Sequence, residues 1–427
     1  MYDKMITEAV SKFMDDKNAP EIKSAHKRQI TESVLKETVK YQKGLSESSE
    51  PTTQTAGVSN WDPVVIKMLR RSMPKLLAFD LVGVQAMTAP TGLIFAMRAK
   101  YTNQNGTEAL FNEANSAFSG AGAQTGDTSG FPADHFAVGD PSVGTDKGTG
   151  MSKTAGEVLG STGNPEWNSM SLSIERVSVE TQTRKLKAEF TRELESDMKN
   201  VHGLDAQTEL ANILSAEIIT EKDREILRTV NVAAVIGAEF TTLPGRYDLN
   251  NDSDGRWSVE KYKGLIMQIE FESNQVSIDT RRGKANRVIC SANVASALSL
   301  AGYLEHNPSL QNGLIVDPSA NAYAGMLLGK YHVYIDPFAS VDYVTVGYKG
   351  DNAYDAGIFY APYMPLTMYK AVGEDNFQPK IGFTSRYGIV ANPFEQKLAT
   401  GVTKAGLGLG QGENKYYRKF QVTSIRG

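Results

Sequence analysis

A single cysteine, Cys290, stands in the 427 residues, so no disulfide can form within the chain. It lies in the apolar run Arg287-Val288-Ile289-Cys290, a setting for a buried strand thiol rather than a nucleophile or metal ligand. No stretch reaches the roughly 18 uninterrupted apolar residues of a membrane span. The N-terminus is amphipathic and charged, with no signal-peptide core, so neither export nor membrane insertion is expected and the chain is expected to assemble in a cytoplasm. The five histidines, His26, His135, His202, His306 and His332, never pair at ligand spacing and share no motif with a carboxylate. Neither a metal site nor a cofactor is therefore expected. The sequence has no G-x-S-x-G elbow, P-loop or H-E-x-x-H, and a lone serine or aspartate without partners makes no catalyst. An enzyme is not expected. Nor does one sign of charge dominate: 45 Lys and Arg face 49 Asp and Glu, for a net charge of −4, which argues against a dedicated nucleic-acid binder.

What the chain does have is length and apolar content. At 427 residues and 41% hydrophobic, it is expected to form two or three packed units joined by excursions. The rest is arranged around LDAQTELANILSAEIITEKDREILRTV. Leu210, Ile213, Leu214, Ile218, Ile219, Ile226 and Leu227 recur at three- and four-residue steps, which predicts a helix over 205–230 with one buried face. Glu209, Glu217, Glu221, Lys222 and Glu225 take the wet face. Asp205 suits the N-cap, and Arg224 and Arg228 suit the negative end of the helix dipole. At about 1.5 Å per residue the rod is roughly 37 Å long, which fits a spine or a long core helix of an ordinary α+β protein.

Residues 1–43 read as two amphipathic helices divided by Pro20, and the polar SESSEPTTQTAG that follows marks a boundary. LIFAMRAKY then reads as a partly buried strand, in which Leu93, Phe95 and Met97 alternate with Ile94, Ala96 and Arg98. Residues 115–164 hold eleven of the 38 glycines and few large apolar side chains. They cannot form a sizeable core, so a projecting loop or small insertion is expected. Met170, Leu172 and Ile174 alternate, then Val177 and Val179 do so in a shifted phase, which predicts long strands with a bulge near Glu175 and Arg176. Beyond the spine, helices are expected over 258–275 and 293–304, with a buried strand RVIC between them. The strands KYHVYID, DYVTVGYK, AGIFYAP and IGFTSRYGIVANPF follow, giving a mixed domain over 257–372. AGLGLGQGE reads as a tether before the last strand, YYRKFQVTSI.

Arg70-Arg71 stands between Leu69 and Met73, and two such arginines more often pair with a neighbour's carboxylates than contact nucleic acid. With Trp61 and Met68 they are the candidate inter-subunit contacts. Tyr343, Tyr348, Tyr354, Phe359, Tyr360 and Tyr363 are expected in packing and interfaces rather than in a ligand cage.

The blocks VIKMLRRSMPKLLAFDLVGVQAMTAPTGLIFAMRAKY, NPEWNSMSLSIE, TRKLKAEFTRELESDMKNVHGLDAQTELANILSAEI, GKYHVYIDPFASVDYVTVGYKGDNAYDAGIFYAPYMPLT and FQPKIGFTSRYGIVANPF strongly resemble the major capsid protein of T-even-like tailed phages. They cover about half the chain in the family's order. The resemblance implies an α+β chain of the Hong Kong 97 type capsid fold. Its expected parts are an N-terminal scaffold-binding propeptide (1–47), an N-terminal arm (48–85) and an extended loop with a shortened glycine-rich insertion (86–168). A peripheral domain carries the spine helix (169–256), an axial domain spans 257–372, and 373–427 returns to the peripheral domain. The family's axial domains gather around the capsomer axis, and its extended loop lies over a neighbour. Its maturation protease prefers an aliphatic residue two positions before glutamate, a pattern met at Leu45-Ser46-Glu47, Leu35-Lys36-Glu37 and Ile30-Thr31-Glu32. Glu47, Glu37 and Glu32 are thus the candidate cleavage positions.

The first reading is a structural subunit that self-assembles into the head shell of a contractile-tailed phage, matured by N-terminal cleavage and expansion. The second is the family's pentameric vertex paralogue, and the third an encapsulin-type shell, against which the disposable N-terminus argues. The partners this implies are further copies of the chain in hexameric and pentameric capsomers, scaffold and core proteins, the maturation protease, the portal, and decoration or vertex proteins. Packaged DNA would be met by proximity only, and the expected location is the virion.

Overall fold

A computed structural model describes residues 22, 25–47, 76–110, 114–122, 148–162, 165–203, 205–306, 323–350, 355–373, 378–393 and 409–425. The expected break at Pro20, the tether at 46–57 beyond Glu47 and the first part of the AGLGLGQGE tether lie outside the described residues. The chain divides into two compact units. One comprises Met1–Ile94, Val177–Asp279 and Gly283–Gly427, and the other Phe95–Arg176 with Thr280–Arg282.

The first unit is organised around the predicted long helix, which runs Ala206–Ala233 (α5), about 42 Å at 1.5 Å per residue. Asp205 caps it: its carboxylate accepts from Gln207 N at 3.4 Å and from the Thr208 hydroxyl at 2.6 Å. The Thr208 bond holds the Asp205 carboxyl below its usual range. Ahead of it, Arg192–Asp197 (α4) passes into a π turn, Met198–His202, which ends at Gly203 in the left-handed region at φ +66°. The other described helices of this unit are Ala25–Glu47 (α1), Ala78–Leu81 (α2), Ser258–Thr280 (α6) and Ala292–Leu300 (α7). α7 ends four residues before the expected 304, because Leu304–His306 pairs as a strand.

Two sheets flank the spine. The smaller joins Gly83–Val84 (β1), Ile358–Val372 (β12), Pro379–Ala391 (β13) and Gln182–Glu189 (β4) in that order. The larger runs Ala234–Ile236 (β5), Asn414–Thr423 (β14), Tyr343–Gly347 (β11), Arg287–Ser291 (β7), Tyr331–Asp336 (β10), Tyr323–Leu327 (β9) and Leu304–His306 (β8). Arg246–Asp248 (β6) also pairs with β14. Sheet membership therefore differs from the expected division. AGIFYAP, expected to close the 257–372 domain, belongs to the smaller sheet, whereas the C-terminal strand lies inside the larger one, between β11 and β5. A strand can join whichever sheet has a free edge of matching register, and neither edge is visible in the strand's own sequence.

The larger sheet is covered on both faces. Val288 and Cys290 pack with Leu265, Ile269, Val294 and Leu298 of α6 and α7, while Ile289 turns to the core shared with α5. This is why RVIC reads as continuous apolar residues rather than alternating ones. Cys290 is fully buried, and burial pushes its thiol up to about 12, far from a reactive thiolate.

Thr91–Tyr101 (β2) and Met170–Glu180 (β3) form a two-stranded ribbon that passes from the first unit into the second. In β3 the described even-numbered residues are exposed throughout, whereas Val177 and Val179 are buried. The shifted phase is thus a change in which face is apolar along one strand. Leu93, Phe95 and Met97 stand exposed, while Ile94 is buried. In the second unit, Ala109 is the one buried apolar side chain among the described residues. Its order comes from bridges, Lys100 with Glu108 and Ala121 with Thr149, from the Tyr101–Phe118 ring pair at 4.5 Å, and from the short helix Lys153–Val158 (α3).

The spine's buried face is shifted from the one expected. Ile213 is 62% exposed, and Lys222, assigned to solvent, is 4% exposed. Ile226→Ala, at a buried site, is expected to cost about 2–5 kcal/mol, and Ile213→Ala under about 0.5. Paired denaturant titrations check the difference.

Candidate assembly surfaces and the polar girdle of the spine helix

Five consecutive residues of α5, Glu221 to Glu225, leave the helix in different directions, and each finds a fixed partner. Arg184 of β4 donates from Nη1 to Glu221 at 2.9 Å and from Nη2 to Glu225 at 2.7 Å. The Tyr387 hydroxyl of β13 bonds both Arg184 and Glu225. Lys222 donates to the Ser385 hydroxyl and lies 5.4 Å from the centre of the Tyr387 ring. Asp223 accepts the backbone N–H of Leu77 at 3.0 Å, which fixes the entry to α2. Arg224 pairs with Asp336 at the end of β10. It sits more than two turns before the helix end, so its partner is that carboxylate rather than the helix dipole.

Arg184, Glu221 and Glu225 remain partly exposed, so their pairing is screened by solvent. Lys222 and Asp223 are desolvated. Burial pushes the Lys222 amine down to about 8 and the Asp223 carboxyl up to about 7. Each charge partly restrains the other's shift.

The short helix α2 is held by donors from around it. Arg287 Nε donates to Asp80 O at 2.8 Å, the Tyr417 hydroxyl to Leu81 O at 3.1 Å, and Lys349 Nζ to Phe79 O. These donors satisfy carbonyls that so short a helix leaves unpaired. Burial lowers the Lys349 amine to about 8. In the larger sheet, Arg418 bonds Glu272 at 2.7 Å, Glu239 at 2.8 Å and Asp279 at 3.1 Å. The carboxylates there are spent on a guanidinium, and no group able to hold a metal ion is present among the described residues. A cavity of about 160 Å³ lies beside Gln85, Met87, Thr91, Val179 and Ala361 and gathers no nucleophile or acid–base pair.

None of these clusters has the geometry of a catalytic site, and the informative surfaces are apolar. Phe95, Met97, Met170, Leu172 and Ile174 all stand roughly half or more exposed in the second unit, an apolar ribbon of the kind that marks an interaction surface. On α6, Met267, Phe271 and Ile278 form an exposed stripe opposite the buried Leu265, Ile269 and Val276.

A family model described as the major capsid protein Gp23 matches residues 58–422. The chain belongs to the Gp23 major capsid protein family. The major capsid protein of Salmonella phage ViI is 42% identical over 396 residues, covering 90% of this chain and 89% of that protein. That of Enterobacteria phage T4 is 34% identical over 480 residues, covering 96% and 92%. The T4 capsid vertex protein is 30% identical over 230 residues, covering 50% of this chain and 51% of that protein. Among solved structures, the capsid of Myoviridae Phage XM1 aligns at a TM-score of 0.40 and 9% identity, over 81% of this chain and 92% of that one. The chain's mixture of helices and strands fits the Hong Kong 97 type α+β fold, and membership of the family makes the chain a structural component of a phage head.

Of the residues singled out from sequence, Glu32 is placed with its side chain, paired with Lys36 at 2.8 Å. Glu37 lies inside α1 and Glu47 is its last residue. Trp61, Met68, Arg70 and Arg71 lie outside the described residues. Sequence reasoning missed the buried pair at 222 and 223. The available signal was Lys-Asp flanked by Ile219 and Ile226 on a helix otherwise apolar at those angles.

The pair predicts a pH profile. A raised Asp223 carboxyl favours the folded state while protonated, so its contribution is lost as pH climbs from about 4 through about 7. A lowered Lys222 amine contributes fully above its ordinary value near 10.5, and that contribution is lost as pH falls towards about 8. The double variant Lys222→Met with Asp223→Asn is expected to flatten both limbs in thermal melts between pH 4 and 7 and between pH 8 and 10.5.

Proposed function

We propose that this chain is the major, hexamer-forming subunit of the head shell, that its N-terminal segment is removed behind Glu47, and that the shell expands afterwards. One observation carries the choice of major over vertex subunit. Major capsid relatives match about nine-tenths of the chain, whereas the vertex protein matches half. The family model begins at residue 58, which supports treating the residues before it as separable from the shell body. Glu47 is the last residue of α1, whereas Glu37 and Glu32 lie within it, which favours the cut behind Glu47. Expansion, the scaffold and core proteins, the protease, the portal and assembly in the host cytoplasm enter through the family resemblance.

In this reading the β2–β3 ribbon with residues 95–176 is the extended loop, and its exposed apolar side chains are covered by an adjacent copy. The α5 region and the smaller sheet form the peripheral part, and the larger sheet with α6 and α7 forms the axial part. The arm past residue 60 supplies Trp61, Met68, Arg70 and Arg71 for apolar anchoring and charge-assisted bonds to an adjacent copy.

Intact-mass measurement of subunits from filled heads is expected to give a start at Ser48. A start at Thr38 would move the cut to Glu37, and a start at Met1 would end the cleavage reading. Hydrogen exchange is expected to show weak protection of 95–122 and 148–176 in isolated subunits and strong protection in shells; equal protection would mean an independently folded insertion. Replacing Arg70 and Arg71 with alanine is expected to leave the subunit folded. It should cost about 3–5 kcal/mol per interface if Arg71 is desolvated there, against at most about 1 kcal/mol for a rim arginine. Head yield and shell melting are expected to fall well below those of an Arg281→Ala, Arg282→Ala control.

A further inference from the structure

The resemblance assigns the N-terminal helix to scaffold, yet one face of that helix is already occupied. Ile30, Thr31, Val34 and Leu35 of α1 are each at most 5% exposed. The three aliphatic residues join the core that contains Leu76, Phe79, Tyr360 and Leu366. Lys27, one turn earlier, pairs with Asp80 at 2.9 Å and lies 5.6 Å from the centre of the Phe79 ring. Thr31, buried on this face, donates its hydroxyl to Lys27 O at 2.7 Å, so it asks nothing of an outside partner.

We propose that α1 is a strap bound to the chain's own body. It shields the bonds after Glu32 and Glu37, and it stays docked once the chain is cut behind Glu47. The proposal rests on the reading that the N-terminal segment is removed, and adds where the cut is possible and what becomes of the cut piece.

An endoprotease takes its substrate as extended chain, so a bond inside a packed helix is cut only through local opening. Opening the helix at Glu32 breaks its pair with Lys36 and pulls Val34 and Leu35 out of the core. Glu37 lies two residues beyond Leu35 and still within α1, so extending the chain across it disturbs the same anchor. Glu47 is the last helical residue, where backbone carbonyls lack partners and helices fray. Among the described residues the anchoring contacts lie at 22–35, and cutting behind 47 breaks none of them. Removing the segment from the shell therefore requires a displacement separate from the cut.

The test is timed digestion of the full-length soluble subunit with a glutamate-specific endoprotease, followed by intact mass and size-exclusion chromatography. The bond after Glu47 is expected to be cut at least about tenfold faster than those after Glu32 and Glu37, because cleavage follows the open population. The helical fragment ending at Glu47 is expected to co-elute with the body. Comparable rates at the three bonds, or a fragment that separates as soon as it is cut, would overturn the strap. Leu35→Ala is expected to bring the two inner bonds to within about threefold of the outer one and to release the fragment. Gln29→Lys, on the exposed side of the helix, is expected to behave as the natural sequence. Should Leu35→Ala fail to fold, Lys27→Met removes the Asp80 pair while sparing the apolar face. It must speed cutting after Glu32, and an unchanged rate there would also overturn the proposal. Head subunits that begin at Met1 would end the removal reading alone, since this digestion needs no phage protease.

Discussion

The polar turn from Glu221 to Glu225 is the constraint on which the first unit depends. Apolar burial is non-directional, so a helix held only by Ile218, Ile226 and Leu227 could rotate or slide at small cost. Here Lys222 reaches Ser385, Glu225 meets Arg184 and Tyr387, Asp223 holds the Leu77 amide, and Arg224 takes Asp336. Those partners belong to the smaller sheet, the entry to α2 and the larger sheet, so one turn sets both the rotation and the height of the spine against three elements. Desolvating Lys222 and Asp223 costs stability, and the return is a single arrangement of the two sheets.

Further along the same helix, Asn231 extends this logic. It accepts the Thr345 hydroxyl at 2.8 Å and donates to the Tyr343 hydroxyl at 3.0 Å, and Tyr343 in turn donates to Asp336 at 2.8 Å. The fully buried Thr345 is thereby satisfied within a strand whose neighbours Val344 and Val346 face the opposite core. α5 is thus bonded to the larger sheet at two heights.

The exposed apolar residues suit an assembly. A stripe such as Met267, Phe271 and Ile278 on α6, or Met170, Leu172 and Ile174 on β3, leaves the element apolar on a face its own chain does not cover. The one cysteine, Cys290, is buried and offers no thiol to a neighbouring copy, whereas exposed apolar stripes of this kind offer contacts that a lattice would multiply. The family membership supplies the copies that such surfaces require.

By itself the sequence determined the long helices and most strands of the first unit. Their periodicity follows local geometry: 3.6 residues per turn along 205–230, and continuous apolar residues in RVIC. Blocks such as VIKMLRRSMPKLLAFDLVGVQAM were long enough to name the family, since order and length over many residues do not depend on knowing the fold. Tertiary structure alone decided which sheet each strand joins, because strand pairing is a contest among edges distant in the chain. That contest put β12 beside β1 and β14 beside β11. It also decided that Lys222 and Asp223 are core residues and Ile213 is not. A helical wheel shows which residues share a face but not which of two packed sheets will supply a hydroxyl or an amide to a buried charge. The same holds for α1, whose amphipathic pattern was plain while its partner, the chain's own β12 and α2, was not. An apolar face states that it will be covered, and only the folded chain states by what.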